Sequence, residues 1–142
     1  MTTIAADARS GVMVSDSRAS DSTTWFPMTK VHRIDGELIG CAGDLKDIAT
    51  WLKWMRAGKK GVAPKVANFE GLLLRSDGVY EVTSDGHAQI IERGFHAVGS
   101  GGHAAMAALI LGHDIKEAVE TACMVDAQSG GEIRVYNLKE SS

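Results

Sequence analysis

The sequence predicts an α+β protein built from antiparallel hairpins and segregated helices, and two observations predict it. Short apolar runs are separated by the turn dipeptides Ser10-Gly11, Asp35-Gly36, Asp77-Gly78 and Asp85-Gly86, which suit tight reversals between neighbouring strands. The elements also come in blocks: strands, helix, strands, two helices, strand. Such blocks build layers, whereas a wound parallel sheet alternates strand and helix along the chain.

Residues 3–8 and 12–15 form the opening hairpin around Ser10-Gly11, and 31–34 with 38–41 form another around Asp35-Gly36. A helix follows: Asp44 is its N-cap, Leu45, Ile48, Leu52 and Met55 recur at helical spacing, and Gly58 stops it. Residues 59–68 are polar, contain Pro64 and read as a connecting loop. Strands return at 69–74, 79–83, 88–91 and 96–98. An alanine-rich helix spans 103–111 and stops at Gly112; the next runs from a cap at Asp114 to about residue 128. Gly130-Gly131 leads into a last strand at 133–137 and a polar tail.

A length of 142 residues predicts one domain over 1–142, and 44% hydrophobic residues suffice for a real core. The net charge of -3 and the lack of a basic block argue against nucleic acid or anionic membrane as partners. No apolar run reaches membrane-spanning length. The N-terminus has neither the basic region nor the apolar stretch of a signal peptide, so the protein is expected to start close to its encoded beginning. Cys41 and Cys123 lie in apolar runs without zinc or redox spacing, which fits a reducing cytoplasm. The five histidines are scattered, so no metal is expected, and no cofactor either. Gly99-Ser100-Gly101-Gly102 begins like a dinucleotide fingerprint, but a helix followed by another helix leaves no βαβ unit to hold a nucleotide.

Chemistry concentrates elsewhere. Thr2 has a side chain small enough to allow removal of Met1, leaving a free amine and a hydroxyl on one residue. A hydroxyl needs a base to become a nucleophile, and an N-terminal amine, with a reference pKa of about 7.7 to 8.0, suits that task near neutral pH. Asp16, in Asp16-Ser17-Arg18-Ala19-Ser20, and Lys30, entering the next strand, read separately as a polar turn and a solvated edge residue. Paired, they would set a fixed positive charge beside that amine and disfavour its protonated form. Ala42-Gly43 ends a strand before a helix; it is a turn, or a backbone N–H open enough to bond a developing oxyanion. Ser100 is part of a close-packed turn or a site-supporting hydroxyl. Asp126 closes a helix at the end where the macrodipole disfavours an acid, so a partner is expected.

Taken in order, these pieces resemble the catalytic β subunits of the proteasome, with the bacterial peptidase HslV as a relative. The stretches that carry the resemblance are Thr2-Thr3-Ile4, the run from Gly11 to Ser20, Lys30-Val31, Ala42-Gly43, Gly99-Ser100-Gly101-Gly102 and Asp126-Ala127-Gln128-Ser129-Gly130-Gly131. The resemblance implies an N-terminal nucleophile hydrolase: a four-layer αββα sandwich acting as a threonine-type endopeptidase on protein or peptide substrates. It implies Thr2 as nucleophile and base, Asp16 and Lys30 as supporting pair, and Gly43 as oxyanion donor. Ser100, Asp126 and Ser129 would surround the threonine amine. Ala19, Met28, His32, Cys41 and Leu45 would shape a mainly apolar side-chain pocket, with Ser20 holding the substrate as an added strand. Homo-oligomeric stacked rings are implied, with room for an ATP-dependent unfoldase partner, and maturation by methionine removal as in the bacterial relative.

The family usually carries a second long helix where this chain has only residues 59–68. One outer helix layer is therefore expected to be reduced, with Trp51 or Trp54 either less covered or buried in the core. Two rival readings remain at this point. A small-molecule amidase of the same fold would act on small amides but not peptides, and a non-catalytic ring-forming subunit would not react with a threonine-directed inhibitor.

Overall fold

The computed structural model describes residues 1–21 and 23–140. Eleven strands and three helices follow one another as β1 Ile4–Asp7, β2 Val12–Ser15, β3 Arg18–Ser20, β4 Trp25–Pro27, β5 Val31–Ile34, β6 Glu37–Gly43, α1 Leu45–Arg56, β7 Phe69–Arg75, β8 Gly78–Val82, β9 Ala88–Ile90, β10 Phe95–Val98, α2 Gly102–Ile110, α3 Ile115–Val125 and β11 Arg134–Asn137. One sheet has the order β10-β1-β2-β11, a second β5-β6-β7-β8-β9, and β3 pairs with β4 in a small ribbon. Among the described residues every pairing is antiparallel.

The alternation of side chains along the central strands builds the layers. In β1, Ile4 and Ala6 join Met13, Leu38, Leu72, Leu74 and Val79 in the core between the sheets, while Ala5 points the other way. Ala5 and Val14 meet Ala105, Ala118, Val119 and Ala122 of α2 and α3. On the far side of the second sheet, Ile39, Cys41, Leu73 and Val82 pack against Ile48, Trp51, Leu52 and Met55 of α1. The result is α2/α3, sheet, sheet, α1: a four-layer αββα sandwich with a single helix in one outer layer. Strands buried on both faces read as unbroken apolar runs, as Leu72-Leu73-Leu74 does.

The reduced layer does not strand Trp51. It is 2% exposed and lies 5.0 Å from the Phe69 ring, while Trp54 is half-buried 6.0 Å from Trp51. Residues 59–68 form no regular element, in line with a connecting loop.

Three local expectations need correction. The segment beyond Asp16 is not only a turn, because Arg18–Ser20 and Trp25–Pro27 pair as a projecting hairpin. Asp44 sits at the N-cap of α1 without capping it; its carboxylate accepts from the Asn68 side-chain amide instead, and Asp47 accepts from the Asn68 backbone N–H. Helix α3 stops at Val125, short of residue 128, because Asp126 turns to an extended conformation. Asp114 caps α3 as expected, accepting from the Glu117 N–H. Of the polar tail, Ser141 and Ser142 lie outside the described residues.

The packing yields a contrast to measure. Trp51→Ala should cost about 3–5 kcal/mol and Trp54→Ala clearly less, read as the difference in urea midpoints at constant slope. Equal losses would mean that the two rings are equally covered.

Candidate active site

The two sheets bring their chemistry-bearing ends together. Ile4 pairs with Ser15, so the residues before β1 lie beside those after β2. Lys30 precedes β5, and Gly43 ends its neighbour β6. A cavity of about 440 Å³ opens there, lined by Thr2, Lys30, Gly43, Ser100, Ala19 and Ser20 among others.

Beneath it lies an ion pair closed to solvent. Lys30 Nζ donates to both Asp16 oxygens at 3.0 and 3.1 Å, and both side chains have zero exposure. Asp16 Oδ1 also accepts from the Thr3 N–H and Oδ2 from the Gly130 N–H, each at 3.0 Å. A buried carboxylate is tolerable only when its lone pairs are filled in this way. The third observed contact of Lys30 Nζ is the Met1 carbonyl oxygen, 2.5 Å away, which belongs to the peptide bond entering Thr2. Burial pushes the Lys30 ammonium below its ordinary pKa, against the upward pull of Asp16.

A hydroxyl network closes the other side. The Thr2 N–H donates to Ser100 Oγ at 3.1 Å, and Ser100 Oγ lies 2.5 Å from Asp126 Oδ2. Asp126 Oδ2 also accepts from Ser129 Oγ at 2.6 Å, and Ser129 Oγ is 2.7 Å from Thr3 Oγ1. Burial raises the Asp126 carboxyl, but the hydroxyls of Ser100 and Ser129 and the Gln128 N–H outweigh it and leave its pKa lowered. The acid at the helix end thus has the partners its position called for. The terminal ammonium of Met1 bonds to the Gln128 carbonyl, and its pKa is lowered by burial and then by the Lys30 charge.

Two glycines permit this closeness. A Cβ on Gly99, at φ +94, would sit 2.2 Å from the Thr2 carbonyl oxygen, and one on Gly101 1.8 Å from Thr3 Oγ1. The Gly101 N–H donates to that same carbonyl at 3.1 Å.

Thr2, Lys30, Gly43 and Ser100 therefore line one cavity, with Asp16 directly below Lys30 and Asp126 behind Ser100. Ser129 reaches Thr3 and Asp126 in place of the Thr2 nitrogen. Ala19, Ser20, Met28 and Leu45 line the same cavity. His32 instead lines a second cavity of about 420 Å³, which Met28 and Leu45 also border. Cys41 lines neither cavity: its side chain faces α1 in the core, where burial pushes its thiol up to about 12. Cys123 is raised to about 11 by burial and by Asp16, so neither thiol supplies a thiolate at neutral pH.

Sequence reasoning passed over several residues. Thr3 is fully buried yet polar, holding Asp16 and Ser129 together; the Thr2-Thr3 doublet was its only signal. Gly130 contributes an N–H to Asp16, which no side-chain pattern announces. Arg18, Asn68 and Glu70 complete the cavity wall from positions far apart in the chain.

No protein-family model matches the chain, and no curated protein matches it. Solved structures do. Eukaryotic HslV from Trypanosoma brucei aligns over 95% of this chain and 98% of its own, with TM-score 0.75 and 20% identity. Thiobacillus denitrificans BPH in complex with epoxomicin aligns over 98% of this chain and 100% of its own, with TM-score 0.70 and 16% identity. BPH alone aligns over 99% of each chain, with TM-score 0.68 and 16% identity. At these identities the likeness defines the fold, which is that of the N-terminal nucleophile hydrolases. Among the described residues, no helix is long and apolar enough to cross a membrane.

The ion pair makes an asymmetric prediction. Asp16→Ala should cost about 3–5 kcal/mol in urea unfolding, because it leaves the Lys30 charge buried without a carboxylate. Lys30→Met should cost less, since Asp16 keeps the N–H groups of Thr3 and Gly130. The reverse order would mean that the carboxylate depends mainly on the lysine.

Proposed function

We propose that this chain is a threonine-type endopeptidase in which Thr2, freed of Met1, is the nucleophile. The observation that carries the reading is the sealed Lys30 ammonium, held by Asp16 and reaching to 2.5 Å from the carbonyl that joins Met1 to Thr2. A cation is buried beside a threonine only at a cost, and N-terminal threonine chemistry gives that cost a use.

Once Met1 is removed, the Thr2 nitrogen becomes an amine beside Ser100 Oγ, with Asp126 behind it. Lys30 loses its carbonyl acceptor and has an N–H to offer the Thr2 hydroxyl. The amine takes the hydroxyl proton as the oxygen attacks the substrate carbonyl, and the Gly43 N–H bonds the resulting oxyanion. The amine then passes the proton to the leaving nitrogen, and water hydrolyses the ester on Thr2. Lys30 keeps the amine in its basic form by penalising a second positive charge nearby. In the uncleaved chain the Met1 ammonium, one residue away, has its pKa lowered first by burial and then by this Lys30 charge.

Residues 1–142 act in this reading as one peptidase domain that assembles into stacked rings in the cytoplasm, where two free cysteines stay reduced. An ATP-dependent unfoldase is the candidate feeder. The BPH structure with epoxomicin supports the choice of inhibitor, because that protein has the same fold.

Intact mass and labelling test the proposal. Active protein should begin at Thr2, gain the mass of one epoxyketone inhibitor, and lose both label and turnover as Thr2→Ala. Full activity with Met1 retained would overturn the mechanism, because an amide nitrogen is no base. Sedimentation velocity checks the ring, for which a stable monomer would be the wrong result.

A pH profile tests Lys30 separately. Activity needs the neutral amine, so kcat/KM should rise with pH through the amine's pKa. Removing the nearby positive charge raises that pKa, so Lys30→Met should shift the rising limb to higher pH and lower the plateau by about 10²–10⁴-fold. An unshifted limb would assign the lysine a purely structural part.

A further inference from the structure

We infer that the chain accepts an acidic side chain in its second cavity, so that cleavage follows glutamate or aspartate in preference to neutral residues. The inference rests on the peptidase reading and names its substrate class.

The second cavity shares Met28 and Leu45 with the one that Thr2 lines, so a residue held at the reacting carbonyl has its side chain within reach of it. Its floor is apolar, formed by Ile48, Ala49 and Leu52 of α1. Its remaining wall is Thr29, His32 on β5, and the two cations Lys53 and Arg56 on the last turns of α1. No carboxylate is among the described lining residues, and none of the described ion pairs involves Lys53 or Arg56. Arg56 lies 3.5 Å from the His32 ring nitrogen. Burial and then the Arg56 charge depress the His32 pKa, so the ring is neutral near pH 7 and the two α1 cations carry the field.

Two unpaired cations over an apolar floor suit a side chain with methylenes below and a carboxylate above. A lysine or arginine side chain would meet like charges there. The mainly apolar pocket that the family resemblance implies is therefore changed at its rim. Both cations lie on an exposed helix turn, so the preference is moderate and screened by salt.

The test compares matched fluorogenic peptides that differ only in the residue before the cleaved bond: glutamate, glutamine, leucine or lysine. Glutamate and glutamine have nearly the same shape, so their ratio isolates charge. We expect kcat/KM to favour glutamate over glutamine by about three- to tenfold at low salt, with lysine poorest, and the ratio to fall in 0.5 M NaCl. In the double variant Lys53→Gln, Arg56→Gln the ratio should drop to about one, and in Lys53→Glu, Arg56→Glu it should invert in favour of lysine. Epoxyketone labelling of Thr2 in each variant reports that the site is intact. Cleavage after leucine with no glutamate preference, or a preference that survives both variants, overturns the acidic pocket alone. No cleavage of any peptide together with an unlabelled Thr2 overturns the peptidase reading and the pocket with it.

Discussion

The buried pair of Asp16 and Lys30 organises everything around it. The carboxylate binds the ammonium, the N–H of Thr3 and the N–H of Gly130, so one side chain ties the start of β1, the approach to β5 and the segment before β11 to the end of β2. Two charges with zero exposure are expensive, and burial lowers the Lys30 pKa against the upward pull of Asp16. A fold seeking stability alone does better with apolar groups of similar size. That the cost is met at the residue next to Thr2 is what gives the pair meaning.

The layers explain how such a cost is carried. Central strands contribute to a core on each face, Leu72 and Leu74 to one and Leu73 to another, and Met13 and Val14 of β2, which leads to Asp16, do the same. Small residues let the layers close. Ala5 meets the alanine faces of α2 and α3, and at Gly40 an added Cβ would come within 2.7 Å of Ile4 Cγ2. With one outer layer reduced to α1, Trp51 and Phe69 fill the volume beneath that helix. The same helix borders the second cavity through its last turns, so thinning that layer leaves Lys53 and Arg56 free of any covering element.

Most of the architecture was legible because its signals are local. Turn dipeptides and double apolar runs mark β1, β2 and β5 to β8 within a residue or two of their observed ends. The β3–β4 ribbon escaped because its residues show no apolar alternation; Trp25 and Phe26 stay largely exposed and pair outside the layers. The end of α3 was overrun because Asp126-Ala127-Gln128 hold no glycine or proline to stop a helix, while the contact of Asp126 with Ser100 spans 26 residues of sequence. Thr2, Asp16, Lys30, Gly43 and Ser100 were legible as parts of an ordered series of motifs; all but Asp16 line one cavity, and Asp16 lies beneath it on Lys30. Cys41 was not, because alternation along β6 sends residue 41 to the α1 face and Ala42 to the inter-sheet face, a choice that depends on register. The positive rim was hidden for a similar reason. His32 and Arg56 are far apart in sequence and meet only when β5 lies against α1.

Met1 shows why the uncleaved chain would be inert on this reading although the surrounding groups are already arranged. Its carbonyl occupies Lys30 Nζ, its peptide bond turns the Thr2 nitrogen into an amide, and its own atoms line the cavity. Each of these blocks is removed by breaking one bond. The residue lost is 62% exposed, whereas Thr2 is buried and Thr3 fully so. Little packing therefore depends on Met1, while the groups beneath it are fixed by contacts that do not involve it: Asp16 with Thr3 and Gly130, Asp126 with Ser100 and Ser129. A site whose supports stand independently of the group that caps it is preorganised, and preorganisation is what electrostatic stabilisation of a transition state requires.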